Sequence, residues 1–424
     1  MKDKTYSHIQ YILLCIFAFW LPFSTPNFPL INFSPSLIAL LLLIWLIQGN
    51  FKHKFNLLKT NKLQFPFILC VGLYVLYLLG LLYSKNLAFG LDDLLLKLPL
   101  LLFSFVIFTV NADYWSKKHI LTMLKCFVLG SLTTLIISVV HSWILFKESA
   151  WFDYFHYIYA SWFHHPSYAS MYYCFSFVII IYLFLHHKLR LWEKIAGGLS
   201  AVLFLGEIVL LDSRAGILTL SCIILIYILY IPFLKRKLLP YFFIGIIGMS
   251  GILLATYKLF PEDNNRIKQT IVNMKERRAS DDYSHNKEVR WLIWDASFKV
   301  AVAHLPFGVG TGDIKDELKK QYLKDDYLHP YEENFNVHSQ YLQVFTTLGI
   351  IGIIFLLSIV FAPFWVGYKT KNILFILFGV IIGINFIVES MLEKQAGIMF
   401  FSFFFVLLYF ASQTQALKEK VETN

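Results

Sequence analysis

Long runs of apolar residues, separated by short polar connections, dominate the chain. Each run extends for about 17 to 25 residues, the length that an α-helix needs to cross the hydrocarbon core of a bilayer. We count about twelve such runs and predict one transmembrane helix for each. Their centres lie near residues 16, 41, 73, 101, 132, 176, 202, 224, 248, 350, 380 and 404. The pattern predicts an all-α polytopic membrane protein.

The polar connections between the runs alternate in charge. The basic ones contain "KHKFNLLKTNK", "SKKH", "HHKLRLWEK", "LKRK", "YKTK" and the tail "LKEK". The connections between them, such as "STPNFPLINFSP" and "ESMLEKQ", are poor in basic residues. Because lysine and arginine stay on the cytoplasmic side of a membrane, we expect both termini to be cytoplasmic and the basic-poor connections to face outward.

One outward connection is much longer than the others and divides the chain into three parts. We predict an N-terminal bundle of about nine helices over residues 1–257, a large periplasmic loop over 258–337, and C-terminal transmembrane helices with a short cytoplasmic tail over 338–424. Within the loop, "RIKQTIVNMKERR" and "KEVRWLIWDASFKVAVAHLPF" have the spacing of amphipathic helices. The glycines of "GVGTGD" predict a sharp turn, because a phosphate-binding loop would follow a strand and precede Lys-Ser/Thr.

The composition excludes several classes of protein. Of the 424 residues, 58% are hydrophobic and only 15% are charged, with a mean hydropathy of +0.62, so the chain is not a water-soluble globule. The net charge of +10 lies in clusters between apolar runs, which indicates membrane topology rather than nucleic acid as a partner. The five cysteines lie inside apolar runs and the chain has no D-x-D motif, so we expect no metal site and no cofactor.

Two arginines occupy positions where a planar cationic group could bind an anion. Arg214 stands in "DSRAG" between two apolar runs, where a charge is costly and is usually retained for a purpose. Arg290 lies near the start of the second loop helix. A guanidinium can bind phosphate oxygens at two points without a metal, so both residues are candidates to bind a diphosphate. The alternatives are a snorkelling anchor for Arg214 and an ion pair of Arg290 with Glu288 or Asp295.

A histidine marks the point where the loop gives way to the tenth apolar run. His338 opens "NVHSQYLQVFTTLGIIG" and lies at the N-terminus of a predicted helix, whose partial positive charge favours a neutral imidazole. A neutral imidazole can take a proton from a hydroxyl group, so His338 is a candidate general base. The alternative is a structural histidine. The adjacent His164 and His165 are weaker candidates for a site, because neighbouring residues do not share one face of a helix, which argues against metal ligation by the pair.

Three motifs in this order resemble the bacterial O-antigen ligase superfamily, which also contains O-antigen polymerases and protein O-oligosaccharyltransferases. "DSRAG" is similar to its S-R-G/A-x element, and "VRWLIWDASFKVAVAHLPFGVGTGD" to its R-x-x-x-W followed by P-x-G-x-G-x-G. "VHSQYLQVFTTLGIIG" resembles its H-N-x-x-L-x-x-x-x-x-x-G-x-x-G, with Ser339 where the family usually has Asn. The resemblance extends over residues 160–400 and implies a GT-C-like architecture.

The resemblance also implies a reaction and its participants. The donor would be a polyprenyl-diphosphate-linked glycan, which such enzymes transfer without metal or cofactor to an acceptor hydroxyl at the periplasmic face of the inner membrane. Arg214 and Arg290 would bind the diphosphate and His338 would be the base. Ser339 and Gln340 are candidates to bind or orient the acceptor, which in a ligase is the glycolipid lipid A–core and in a polymerase a glycan.

Two other classes of protein remain as alternatives. Twelve spans would suit a polysaccharide or lipid transporter, although transporters concentrate polar groups near the middle of the membrane. Only Lys125 and Glu207 lie at such positions here, and the sequence assigns them no role. A membrane scaffold would leave the two arginines and His338 without a function.

Overall fold

The computed structural model describes residues 2–60, 62–111, 114–234 and 286–422. These residues form α-helices, short 3-10 turns and connections, and contain no β-strand. The first ten helices are α1 (Lys2–Trp20), α2 (Ser34–Gln48), α3 (Phe51–Thr60), α4 (Gln64–Gly80), α5 (Leu87–Phe108), α6 (Lys117–Ser149), α7 (Tyr157–Ala160), α8 (Pro166–His186), α9 (Leu191–Leu210) and α10 (Arg214–Leu234). The helices that follow residue 285 are α11 (Asn286–Ala303), α12 (Ile314–Lys324), α13 (Leu328–Glu332), α14 (Gln340–Lys369), α15 (Ile373–Val388) and α16 (Gln395–Glu422).

Most of the predicted spans coincide with helices. Among the described residues, seven helices are long and apolar enough to cross a membrane, and α10 and α15 contain shorter apolar helices. Helices α5 and α9 contain the predicted centres 101 and 202 and each carry three charged residues, while the predicted centre at 248 lies outside the described residues. The structure therefore confirms a polytopic all-α membrane protein, whereas the count of twelve stays a prediction.

Two helices form the centre of the bundle. The apolar windows of α8 and α16 are 83% and 94% buried, whereas that of α2 at the edge is only 22% buried. Phe400 and Phe404 of α16 pack against Phe127 of α6 and Phe175 of α8. This packing fixes the ends of α8 and α16 close to each other.

The described part of the long loop has a small core of its own. Helix α11 confirms the predicted amphipathic helix that begins with "KEVR" and ends before Pro306, whereas "RIKQTIVNMKERR" lies outside the described residues. One face of α11 packs on α12 and on the segment before α14 through Val289, Ile293, Val300, Leu318, Tyr322 and Val337. The same helix exposes Trp291 and Phe298 on another face. The loop is thus a helical unit placed against the bundle.

The "GVGTGD" segment is a turn that joins the loop to the bundle, as predicted. Gly308 and Gly310 adopt positive φ angles of 77° and 92°, which favour glycine. The backbone N–H groups of Val309 and Gly310 donate to carbonyls of α14 at 2.9 and 3.0 Å. At the other end, the carboxylate of Asp313 accepts hydrogen bonds from backbone N–H groups at the start of α5. These donors and acceptors are engaged within the protein, so the turn serves the packing of three helices.

Lys125 and Glu207, to which the sequence assigned no role, both contact side chains of neighbouring helices. Lys125 of α6 forms an ion pair with Glu193 of α9 at 2.9 Å, which links the two helices. Glu207 of α9 is buried beside Tyr173 of α8.

Candidate functional site

A large cavity of about 1140 Å³ lies where α8, α10, α11 and the segments flanking α14 and α16 meet. Arg214, Arg290 and His338, the three residues singled out in the sequence, all line it. They come from separate parts of the chain, and only the folded bundle brings them together. The volume is that of a site for a large ligand, since small-molecule pockets usually measure about 300–1,000 Å³.

Arg214 is the first residue of α10, directly after a tight turn. Asp212 adopts a left-handed conformation with φ of 41°, and the Ser213 hydroxyl accepts a hydrogen bond from the N–H of Gly216 at 3.2 Å. The turn places the guanidinium at the cavity and at the positive end of the helix, where an anion is stabilised. Gly216 lets α10 approach Ser170 of α8, because a Cβ there would lie 2.5 Å from the serine Cβ.

Arg290 lies in the second turn of α11 and is half-buried in the cavity wall. The alternative partner Asp295 pairs instead with Lys299 at 2.6 Å and accepts a hydrogen bond from the Tyr327 hydroxyl at 2.8 Å. Arg290 acts electrostatically on His165 and Glu389, which line the same cavity. It is therefore directed to the cavity rather than to the outer surface of the loop unit.

His338 faces a buried carboxylate. Its Nδ1 lies 3.3 Å from Oε1 of Glu389, which is within ion-pair distance but without the angles of a hydrogen bond. His338 has a left-handed φ of 49°, and its backbone N–H donates to Asn336 Oδ1 at 3.2 Å. Such strain is found where the surrounding structure imposes a conformation, frequently at functional sites. A proton on Nδ1, facing Glu389, leaves Nε2 with a lone pair to accept a proton.

Glu389 is the most important residue that sequence reasoning missed. It lies in "ESMLEKQ", which we had used only as a basic-poor outward connection. Burial favours its neutral form, but the contact with His338, together with the charges of Arg290 and His165, holds its pKa below the ordinary value. Glu389 thus supplies a permanent negative charge beside the imidazole.

Ser339 and Gln340 lie behind the cavity wall and are not among its lining residues. The Ser339 hydroxyl donates to the carbonyl of Phe386 at 3.5 Å. Gln340 Oε1 accepts from the N–H of Leu392 at 2.7 Å, and its Nε2 donates to Glu393 at 3.4 Å. Ser339 therefore links the start of α14 to α15, and Gln340 links it to the connection between α15 and α16, an arrangement suited to positioning.

A second group of charges forms part of the cavity wall. The buried ammonium of Lys97 on α5 lies 2.5 Å from Asp93 and 2.7 Å from Glu393, and its Nζ lies 4.5 Å from the ring centroid of Tyr77. Asp93 and Glu393 line the cavity, whereas Lys97 stands behind them. Exposed Lys315 and Lys394 complete the charged lining.

The adjacent histidines, ranked low in the sequence, have different roles. Burial lowers the pKa of His164 to about 4, and its Nε2 lies 2.8 Å from the carbonyl of Pro22. His165 lines the cavity, where burial and the charges of Arg290 and His338 lower its pKa against the opposing effect of Glu389. In the part of the chain that the structure describes, no group of three His, Cys, Asp or Glu side chains is placed to hold a metal ion.

Comparison with known proteins identifies the region that carries this geometry. Residues 199–357 match the family model described as O-antigen ligase, and they include Arg214, Arg290 and His338. Over this region the chain is similar to the O-antigen ligase family. The resemblance predicted from the three motifs is confirmed.

A curated relative is similar over a longer stretch. A protein of Haemophilus influenzae, described as uncharacterized, is 25% identical over 202 residues, which form 47% of this chain and 49% of that protein. The match thus spans about half the length of each protein, and the relative's description assigns no activity.

Proposed function

We propose that the protein is a glycosyltransferase that moves a glycan from a polyprenyl-diphosphate carrier to an acceptor hydroxyl. The observation that carries the proposal is the meeting of Arg214, Arg290 and His338 in one large cavity. Two guanidinium groups match the geometry and charge of a diphosphate, and a histidine paired with a carboxylate matches a general base. The family match over residues 199–357 supports this assignment.

The reaction needs one base and one stabilised leaving group. Nε2 of His338 takes the proton from the acceptor hydroxyl as its oxygen attacks the anomeric carbon. The bond between that carbon and the diphosphate oxygen breaks, and the electron pair leaves with the diphosphate, whose charge Arg214 and Arg290 stabilise. The negative charge of Glu389 favours a proton on Nδ1 and stabilises the imidazolium that forms. The single displacement inverts the anomeric configuration and needs no metal.

The proposed acceptor is lipid A–core, which makes the protein an O-antigen ligase. The description of the matching family favours this acceptor over the growing glycan of a polymerase or the side chain of a protein. The proposed location is the inner membrane, with the cavity open to the periplasm. The reason is that the basic connections between the apolar runs are expected on the cytoplasmic side of the membrane.

Reconstitution tests the activity. Purified protein in lipid nanodiscs, given undecaprenyl-diphosphate-linked oligosaccharide and lipid A–core, should form a glycosylated lipid A–core of inverted configuration. EDTA should leave the rate unchanged. A retained configuration, or inhibition by EDTA that magnesium or manganese reverses, would overturn the single-displacement or the metal-independent mechanism respectively.

Cysteine labelling tests the orientation. In a variant whose five native cysteines are alanine, Lys324→Cys in the loop unit should react with a membrane-impermeant maleimide once the outer membrane is permeabilised. Lys59→Cys, in the basic connection between the second and third predicted spans, should react only after the inner membrane is disrupted. The opposite pattern would place the cavity on the cytoplasmic side.

A further inference from the structure

The wall of the cavity formed by α5, α8 and the 3-10 turn Met391–Glu393 carries chemistry that the proposed reaction does not use. Asp93 and Glu393 line it and share the single ammonium of Lys97. The two carboxylates and their single cation leave oxygen lone pairs at the cavity. A ligand that binds at this wall would bring hydrogen-bond donors to these oxygens.

A buried hydroxyl at the same wall has no partner within the protein. Tyr168, in the first turn of α8, lines the cavity and is only 6% exposed. Its Oη makes no hydrogen bond to any residue that the structure describes. The carboxylates of Glu389 and Glu393 both lie within electrostatic range of it. Burying a hydroxyl without a partner is costly, so this arrangement indicates a partner that arrives with a ligand.

A second unpartnered polar atom lies on α14, three residues after Gln340, which hydrogen-bonds to Glu393. Gln343, in the first turn of α14, lines the cavity and is 5% exposed, and its Oε1 accepts no hydrogen bond from the described residues. The wall therefore combines two carboxylates, an amide oxygen and a hydroxyl. Together they accept several hydrogen bonds and donate one or two, which is the complement of a polyhydroxylated ring.

We propose that this wall is the acceptor-sugar subsite, in which Tyr168, Gln343, Asp93 and Glu393 bind the hydroxyl groups of a pyranose. The inference rests on the proposed transferase function and names the part of the cavity that its acceptor occupies. Ring hydroxyls donate to the carboxylates and to Gln343 Oε1, and the Tyr168 hydroxyl donates to a ring or hydroxyl oxygen.

The proposed subsite is linked to the general base, His338, through hydrogen bonds of Gln340. Gln340, two residues after His338, hydrogen-bonds to Glu393 and to the backbone of Leu392. The carboxylate that receives the acceptor is therefore held in a fixed position relative to the imidazole. A sugar bound there can present one further hydroxyl to Nε2 of His338, whereas the diphosphate is held by Arg214 and Arg290.

The test compares two tyrosines one helical turn apart. Tyr168→Phe removes only the unpartnered hydroxyl, whereas the control Tyr172→Phe removes a hydroxyl that donates to the carbonyl of Ala396 at 2.9 Å and does not line the cavity. Equilibrium binding of lipid A–core and of undecaprenyl-diphosphate oligosaccharide is measured separately, each with protein in nanodiscs and no second substrate. Steady-state kinetics and thermal unfolding are recorded for the same variants.

Tyr168→Phe should weaken lipid A–core binding and raise its KM by about three- to tenfold, the usual effect of one hydrogen bond, with donor affinity and kcat unchanged. Its melting temperature should not fall. Tyr172→Phe should lower the melting temperature and leave both affinities unchanged. Unaltered lipid A–core affinity in Tyr168→Phe, or an equal loss of donor affinity, would overturn the subsite.

The binding measurement separates this proposal from the proposed function. If the wild-type protein transfers no glycan but Tyr168→Phe still weakens lipid A–core binding, the transferase assignment fails and the subsite stands. If the wild-type protein transfers glycan and Tyr168→Phe binds lipid A–core normally, the transferase stands and the subsite fails. Wild-type protein that does not bind lipid A–core at all also overturns the subsite.

Discussion

The two walls of the cavity differ in where their residues come from. The cationic wall with its base, formed by Arg214, Arg290 and His338, falls entirely within residues 199–357, the region that matches the O-antigen ligase family. Of the acidic wall, Asp93 and Tyr168 precede that region and Glu393 follows it, so only Gln343 lies inside. In the proposed reaction, the matched region would therefore bind the diphosphate, while residues outside it would contribute most of the acceptor subsite.

The largest effect should come from the base at the boundary of the two walls. His338→Ala and His338→Gln should reduce kcat by about 100- to 10,000-fold, the usual contribution of general-base catalysis. Donor and acceptor binding should persist, because the residues that hold each substrate remain. Near-normal turnover of His338→Ala would show that His338 is not the general base.

The next largest effect concerns the stability of the acidic wall. Lys97→Met leaves Asp93 and Glu393 buried without their cation, and breaking a buried ion pair from one side costs about 3–5 kcal/mol of unfolding free energy. The measurement is chemical or thermal unfolding in detergent. Lys125→Met, which breaks the partly exposed ion pair with Glu193, is the control and should cost less than about 1 kcal/mol. Equal losses would show that the buried cluster has no special role.

A smaller effect should follow from replacing the planar guanidinium group of an arginine, which can donate two parallel hydrogen bonds, by the ammonium group of a lysine. Arg290→Lys should lower kcat/KM by about 10- to 100-fold, which corresponds to the 1.5–3 kcal/mol of a hydrogen bond to a charged group. The loss should be seen as weaker donor binding and a slower departure of the diphosphate, without a change in acceptor KM. The control Arg190→Lys, at the connection between α8 and α9, should retain wild-type kinetics. A selective rise in acceptor KM would contradict the division between the walls.

The smallest effect is on the pH dependence of stability. The pKa of Glu389 is held below its ordinary value, so its charge stabilises the folded state at neutral pH. This contribution is fully present above the unfolded-state pKa of about 4.3 and is lost as the pH falls through the lower folded value. The melting temperature of Glu389→Gln should therefore trail that of the wild type by a constant amount from about pH 6 to 8, and the gap should close in acid. A gap that widens in acid would contradict the assigned direction.

Sequence reasoning found the cationic wall because its residues contrast with their neighbours. Arg214 interrupts two apolar runs, and His338 stands where a polar loop meets one, so local pattern alone singles them out. Helix positions were predictable for the same reason, since an apolar run of sufficient length forms a helix irrespective of its partners. The predicted turn at residues 308–313 was equally local, because only glycines adopt its φ angles without strain.

The acidic wall was not predictable because it depends on which helix faces meet. Lys97 and Asp93 lie inside a run that we counted simply as a span, and Glu393 joins them from almost three hundred residues further along the chain. Tyr168 is one of 24 tyrosines, and nothing in its neighbours shows that its hydroxyl lacks a partner. Likewise, Glu389 gains its significance only from its distance to His338.

Two glycines govern how far the loop unit can move from the bundle. Gly349 interrupts α14 with a φ of 64°, which allows the next N–H, of Ile350, to donate to the carbonyl of Pro306 at 2.9 Å. A Cβ at Gly349 would collide with that carbonyl, and one at Gly308 would lie 2.6 Å from the backbone of Thr347. These contacts join the loop unit, which contains Arg290, to α14, whose N-terminus follows His338. A side chain at either glycine should therefore disturb the distance between Arg290 and His338.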